Sequence, residues 1–313
     1  MKEKVPSLLF CCQLIHDQPS IEPFITLTLD KRLPMKLLSL LFACITFFGF
    51  MGSLRSQGQW QSLFDGKDLS GWDTYLAPPS NDSGRRISQI PIGLNNDPDQ
   101  VFTVVNQNGE NVIRISGNGW GGISTTKEYE NYHLQLQFRW GTLRWKDKKD
   151  KKRDSGLLYH AVGPHGADYG AWMRSQEFQI QEGDCGDYWG VAGGIQDIPA
   201  VKKTDKDYLY DPAGSLYTFS ENSPVGRHCI KAGDPEKPSG EWNTLDLFCH
   251  GDTSVHVING ITVMVLYHSR QADNGKEWPL TKGKLQIQSE GAEVFYKQIR
   301  LQSLSRIPQQ ILK

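Results

Sequence analysis

An all-β fold, with two sheets packed as a jelly-roll sandwich, is predicted by three features of the sequence. After residue 57 no stretch of convincing length carries a helical period, while short runs of alternating apolar and polar residues recur. Turn residues punctuate those runs. The 31 Gly and 16 Pro suit a chain made of many strands and turns better than a helical one.

The strands follow in order. Residues 112–115 form a short one. Residues 132–140 alternate cleanly, with Tyr132, Leu134, Leu136, Phe138 and Trp140 on one face and His133, Gln135, Gln137 and Arg139 on the other. Residues 156–162 are largely apolar. Residues 176–182 alternate again, with Phe178 and Ile180 inward and Glu177, Gln179 and Gln181 opposite. Residues 242–249, 254–258 and 261–267 read as a meander whose second turn, Asn259-Gly260, is the strongest two-residue hairpin signal. Residues 284–288 and 294–301 close the domain around a turn at Glu290-Gly291. Three stretches read as loops. Residues 76–96 are rich in Pro, Ser, Asn and Asp. The basic run 146–153 reads as a solvated hairpin tip. Residues 183–206 form a long loop directly after the most polar strand, where long loops tend to carry function.

The N-terminal region is of a different kind. Met35-Lys36, the apolar stretch 37–51 and the small residues Gly52-Ser53 have the three-part layout of a secretory signal peptide. The stretch is too short and ends too abruptly for a membrane span. The expected organisation is therefore a non-native or disordered extension over 1–34, a signal peptide over 35–56, and one jelly-roll domain over 57–313 in a secreted or periplasmic protein. Lipid attachment at Cys44 is disfavoured by the bulky Phe42 and the apolar residues that follow. The balance of 34 basic and 35 acidic residues lacks the basic excess of a nucleic-acid-binding protein. Cys185, Cys229 and Cys249 make an odd number, which argues against a disulfide framework; a Cys229–Cys249 pair stays open.

Carbohydrate chemistry is read from the polar strand. A jelly roll with one concave sheet offers a groove lined by every second residue. Jelly-roll glucanases place their carboxylates on alternate residues of one strand, as Glu-x-Asp-x-x-Glu or Glu-x-Asp-x-Glu. Here the strand reads Glu177-Phe178-Gln179-Ile180-Gln181-Glu182, with amides in place of the partners, and Glu182 falls on the opposite face. Glu177 is thus a lone carboxylate among amides, or a groove-wall partner of Arg139 or Arg174. His133, His160 and His165 are nearby in sequence. A His-plus-Glu cluster suits a general base or a divalent cation, with His160 and Glu177 as candidate ligands, although the spacing matches no dedicated metal motif. For each histidine a structural hydrogen bond is the plainer role. Trp172 and Trp189 are candidate stacking platforms for a sugar ring. Tyr159, Gln288 and Glu290 join Gln179 and Gln181 as candidate substrate contacts.

Six segments in register carry a resemblance: Ser62-Leu63-Phe64-Asp65-Gly66-Lys67-Asp68-Leu69-Ser70-Gly71-Trp72, Asp154-Ser155-Gly156-Leu157-Leu158-Tyr159-His160, Gln176-Glu177-Phe178-Gln179-Ile180, Gly240-Glu241-Trp242-Asn243, Asn259-Gly260, and residues 283–301. In these the chain resembles the 3-keto-disaccharide hydrolase domain family, formerly a domain of unknown function, within the concanavalin A-like lectin/glucanase superfamily. The resemblance implies a concanavalin-like jelly roll and cleavage of glycosides already oxidised to the ketone at sugar C3. A C3 ketone acidifies the C2 proton, so one base and a stabiliser of the enolate suffice, and the glycosidic oxygen leaves by β-elimination. Water adding back gives net hydrolysis. On this footing Glu177 or His160 is the base or a metal ligand, Arg139 or a divalent cation stabilises the enolate, and no organic cofactor is needed. One departure stands out. The family's Leu-Gln-x-His-Gly is Ile287-Gln288-Ser289-Glu290-Gly291 here, so any role of that His falls to Glu290 or another residue. The rival reading is a non-catalytic, lectin-like carbohydrate-binding module, which the same groove would serve. In either case the partner is a small carbohydrate, with no nucleic acid and no integral membrane association after signal removal.

Overall fold

The computed structural model describes residues 58–312, so the expectations for 1–34, for the leader 35–56 and for Cys44 lie outside the described residues. Two antiparallel sheets face each other as a sandwich. One has eight strands in the order His228–Cys229, Tyr188–Val191, Arg174–Gln181, Asp154–Val162, Lys284–Ser289, Gly121–Thr125, Trp72–Leu76 and Gly93–Leu94. The other has twelve strands, and its long Tyr132–Arg144 strand lies between Asn243–His250 and Ala292–Ser303. Every strand read from the sequence is a strand here, and Asn259 and Gly260 both adopt the left-handed conformation that their tight hairpin requires.

The core lies between the sheets because alternation turns one apolar face of each inward. Leu134, Leu136 and Phe138 from the twelve-stranded sheet meet Leu157, Phe178 and Ile180 from the eight-stranded one in a single fully buried cluster. Phe138 has no exposed surface. Phe138→Ala is therefore expected to lower stability by about 3–5 kcal/mol, measured as a shift of the denaturant midpoint at unchanged m-value. The polar edge of the Arg174–Gln181 strand faces outward from this core, and that side of the eight-stranded sheet is the side on which the site forms.

Three expectations change. Residues 183–206 are not one loop: they contain the strands Tyr188–Val191 and Gly194–Lys202, whose own apolar residues bury Tyr188 and Ile198 in a second core cluster. The basic run 146–153 is not simply a solvated tip. It begins with a short 3-10 turn, Lys146–Lys148, and Lys148 turns into the protein. Cys185, Cys229 and Cys249 are all free and buried, so the open Cys229–Cys249 pair is not formed. Among the described residues no helix is long and apolar enough to cross a membrane.

Candidate functional site

Pairing across the eight-stranded sheet sets the site. His228, Trp189, Glu177 and Leu158 stand opposite one another on four neighbouring strands, so their side chains share one face. Over this row lies a cavity of about 280 Å³, lined among others by Glu177, Gln179, Gln181, Trp172, Trp189, Gln288 and Glu290. These seven sequence-predicted residues are thus brought together. Gly156 makes the close approach feasible: a methyl group there would collide with Glu177 Oε1 and Gln288 Oε1. Gly156→Ala is expected to leave the fold intact, since both obstructing atoms end flexible side chains, while displacing Glu177 and Gln288 from their places in the cavity wall. A thermal melt and a crystal structure of the variant check it.

Three predicted residues lie elsewhere. Arg139 is on the outer face of the other sheet, its guanidinium bonded to Gln107 and set over the rings of Trp242 and Phe295 at 5.0 and 5.5 Å. Alternation had correctly placed it opposite the core, but the face it occupies belongs to the wrong sheet for the groove. Tyr159 faces the core, its hydroxyl 2.9 Å from Ser254 Oγ. His160 follows at a β-bulge, with a φ of 52°, and is buried against Tyr132 and Tyr159 with Nδ1 3.0 Å from the Leu280 carbonyl. Burial depresses its pKa to about 4, so it is a neutral core histidine. His133 pairs with Asp246 at 2.7 Å on the far sheet, and His165 stacks on Tyr75. Arg174 bonds the Ala192 carbonyl rather than Glu177, and Glu182 pairs with Arg144 and Arg153.

With His160 in the core and Glu177 in the groove, the two cannot share a cation. Among the described residues no three His, Cys, Asp or Glu side chains gather as a metal-binding group. The expected ligand pair, His160 and Glu177, does not fit a metal.

The structure adds residues that local pattern does not reveal. Asp154, Asp168 and Arg227 line the same cavity, as do Trp120 and Tyr169. Lys148 reaches in from the 3-10 turn, its Nζ 2.7 Å from Asp154 Oδ2 and 2.9 Å from Glu290 Oε1. Gln181 Nε2 donates to the same Asp154 oxygen at 2.6 Å. Arg227 pairs with Asp168 at 3.0 Å and Glu221 at 3.1 Å, and lies 5.6 Å over the Trp189 ring. His228 stacks on that ring at 4.3 Å between centroids, oriented by the buried Asp187 at 2.8 Å. Two members of this set carried a sequence signal: Asp154, which opens one of the six segments of the resemblance, and Glu290, singled out as a departure from the family pattern.

The electrostatics are those of crowded carboxyls under cover. Burial, and then repulsion from Glu290 and Asp154, pushes the Glu177 carboxyl well above the ordinary range; Arg227 opposes this only in part. No described side chain hydrogen-bonds it. Burial and the proximity of Asp154 likewise raise Glu290, while burial raises Asp154 against the pull of Lys148. Burial disfavours the Lys148 ammonium, but Glu290 and Asp154 outweigh it and hold Lys148 above the usual lysine range. Asp154 Oδ1, Gln179 Oε1 and Gln288 Oε1 are buried acceptors with no partner. All three belong to side chains that line the cavity, although unpartnered buried polar atoms also occur elsewhere in the sandwich.

By structure the chain is similar to a provisionally assigned glycosyl hydrolase from Parabacteroides distasonis, at 19% identity over 79% of this chain and 100% of that one, with a TM-score of 0.44. It is also similar to a Bacillus subtilis protein of unknown function with a galectin-like fold, at 10% identity over 79% and 97% of the two chains and a TM-score of 0.36. Likenesses at these levels say nothing about activity. None of the curated proteins matches the sequence. The model of the 3-keto-alpha-glucoside-1,2-lyase-like domain matches residues 59–302, which takes in both sheets and every residue of the groove. The chain belongs to the family of 3-keto-alpha-glucoside-1,2-lyase-like domains.

Proposed function

We propose that the protein cleaves 3-keto-glycosides, 3-keto-disaccharides among them, by removing the C2 proton and eliminating the C1 oxygen. The observation that carries this reading is Glu177: a groove-facing carboxyl with no hydrogen-bond partner among the described residues, its pKa raised by burial and by its acidic neighbours. A carboxylate of raised pKa is a stronger base than an ordinary one, which suits abstraction of a carbon-bound proton made acidic by the neighbouring ketone. The C2–H electrons pass into the enolate as the proton moves to Glu177. The Arg227 guanidinium, on the same cavity wall, offsets the charge on the ketone oxygen in place of Arg139. Glu290, kept proton-laden by burial and by Asp154, supplies the proton that the departing C1 oxygen takes. Water adding across the resulting C1–C2 double bond completes net hydrolysis. The partnerless acceptors Asp154 Oδ1, Gln179 Oε1 and Gln288 Oε1 are matched by the hydroxyl donors of a sugar, and Trp172 and Trp189 wall the ring.

A second reading is favoured by one finding. The groove lacks a second carboxylate on the Arg174–Gln181 strand but receives Asp154, Asp168 and Glu290 from elsewhere, so the carboxyl set of an ordinary acid/base glycosidase is present. Parallel incubation of the protein with a 3-keto-disaccharide and with its unoxidised parent separates the two. Release of sugar from the oxidised substrate alone is the expected result. Release from the parent moves the assignment to ordinary hydrolysis, and binding of either without release makes the protein a lectin-like module. The same reading places the protein outside the cytoplasm through the leader 35–56; N-terminal sequencing of the exported product checks this, with a start between residues 52 and 59 expected.

A further inference from the structure

A sugar ring stacks well on an indole only where the indole is held in one plane. Trp189 lies on the four-residue strand Tyr188–Val191, one strand in from the sheet edge, and turns outward while Tyr188 turns into the core. The packed core therefore fixes Tyr188 but leaves the Trp189 ring to its neighbours on the outer face. Its cross-strand partner is His228, on the two-residue edge strand His228–Cys229. The two rings stack nearly parallel, at 18°.

The imidazole is fixed in its turn. His228 Nε2 donates to Asp187 Oδ2 at 2.8 Å. The Asp187 side chain is only 3% exposed, and its other oxygen accepts the Lys231 N–H at 3.0 Å. Its backbone carbonyl accepts the Gln179 N–H, also at 3.0 Å. The contacts run from Gln179 on the groove strand through Asp187 and His228 to Trp189, so they begin and end on the wall of the central cavity. His228 is not on that wall. It lines a neighbouring cavity of about 380 Å³ that shares Trp189, Gln179 and Gln181 with the central one. Packing alone would not call for this arrangement: a phenyl ring would cover the indole without a buried polar partner to satisfy.

We propose that His228, oriented by Asp187, is a positioning residue for substrate binding: it locks the Trp189 indole in the plane on which the sugar ring stacks, and touches no substrate itself. The inference deepens the proposed function and rests on it for the presence of a sugar in the central cavity, not for the reaction there. Its mark falls on affinity rather than on rate. Arg227, the residue before His228, has its own anchors in Asp168, Glu221 and the Gly190 carbonyl at 3.3 Å, so losing the imidazole does not release the guanidinium.

The affinity of a 3-keto-disaccharide is measured by calorimetry in a Glu177→Gln background, where turnover does not disturb it, and kcat and KM are measured with Glu177 in place. His228→Gln keeps a donor for Asp187 but removes the ring. It should weaken binding and raise KM by about tenfold, with kcat within about twofold of wild type. His228→Phe, which keeps a ring against the indole, should recover most of the affinity. His228→Thr, a residue suited to strands, repeats the test if His228→Gln folds poorly by thermal melt. In a Trp189→Ala background His228→Gln should add no further loss, because two residues acting through one contact are not additive. An equal further loss there overturns the proposal, as does unchanged affinity in His228→Gln or a fall in kcat at constant KM. Binding that depends on both residues without release of sugar upholds the proposal and overturns the activity reading; release of sugar with affinity indifferent to His228 does the reverse.

Discussion

Glu177→Gln is expected to abolish turnover of a 3-keto-glucoside, by about 10²–10⁴-fold, while making the protein more stable above neutral pH. The two effects have one cause. Glu177 sits where burial and the carboxyls of Glu290 and Asp154 disfavour its charge, so its folded-state pKa lies above its unfolded one. A group shifted in that direction contributes fully below the ordinary carboxyl range, and its contribution is lost as pH rises through the folded pKa. Glutamine keeps the shape and the neutral state at every pH, so it escapes the loss but cannot accept a proton. Thermal melts of both proteins should coincide near about pH 4, the ordinary Glu range, and diverge in favour of the variant as pH rises, by about 1–3 kcal/mol. The same titration makes wild-type kcat/KM climb with pH through the raised Glu177 pKa, because the base must be ionised to act. Near-native turnover in Glu177→Gln removes Glu177 from the mechanism. Equal stability at every pH means that its carboxyl is not under strain.

The second large effect is expected at Lys148. Its ammonium is the cation that Asp154 and Glu290 share, and the three side chains are only 13%, 5% and 14% exposed. Lys148→Met leaves two buried carboxyls facing each other, and removing one partner of a buried ionic cluster costs about 3–5 kcal/mol. The cost depends on pH in a definite direction. Burial already raises both carboxyls, and without Lys148 they rise further, so the penalty is present above their raised pKa values and fades as pH falls toward the ordinary carboxyl range. Denaturant titrations across that range check it. A constant penalty at all pH values would show that Lys148 acts through packing alone. Activity reports the same event from the other side: with Glu290 holding its proton to higher pH, the alkaline limb of the rate profile should move upward. Lys148→Arg, which keeps the charge, should restore most of both.

Much of this molecule was legible because strands repeat with a period of two. Tyr132, Leu134, Leu136 and Phe138 announce one inner face, Phe178 and Ile180 the other, and Glu177, Gln179 and Gln181 follow as the outer edge of the groove strand. Period alone failed wherever it was asked for more than a face. Arg139 and Glu177 both point away from the core, but they stand on different sheets and so on opposite sides of the sandwich. His160 lies one residue after Tyr159, where regular alternation would turn it to the groove; the bulge there breaks the alternation and sends it into the core as well.

By itself the sequence determined the all-β class, the hairpin at Asn259-Gly260, the family and the outward polar row on the groove strand, because each of these is written in neighbouring residues. Only the tertiary structure decided that Lys148, from a run that reads as solvated surface, would lie between Asp154 and Glu290, and that Arg227 and Tyr169 would line one cavity with Glu177. Those meetings depend on which strands pair and where loops fold back, and that is settled by burial of the whole apolar face at once rather than by any local pattern.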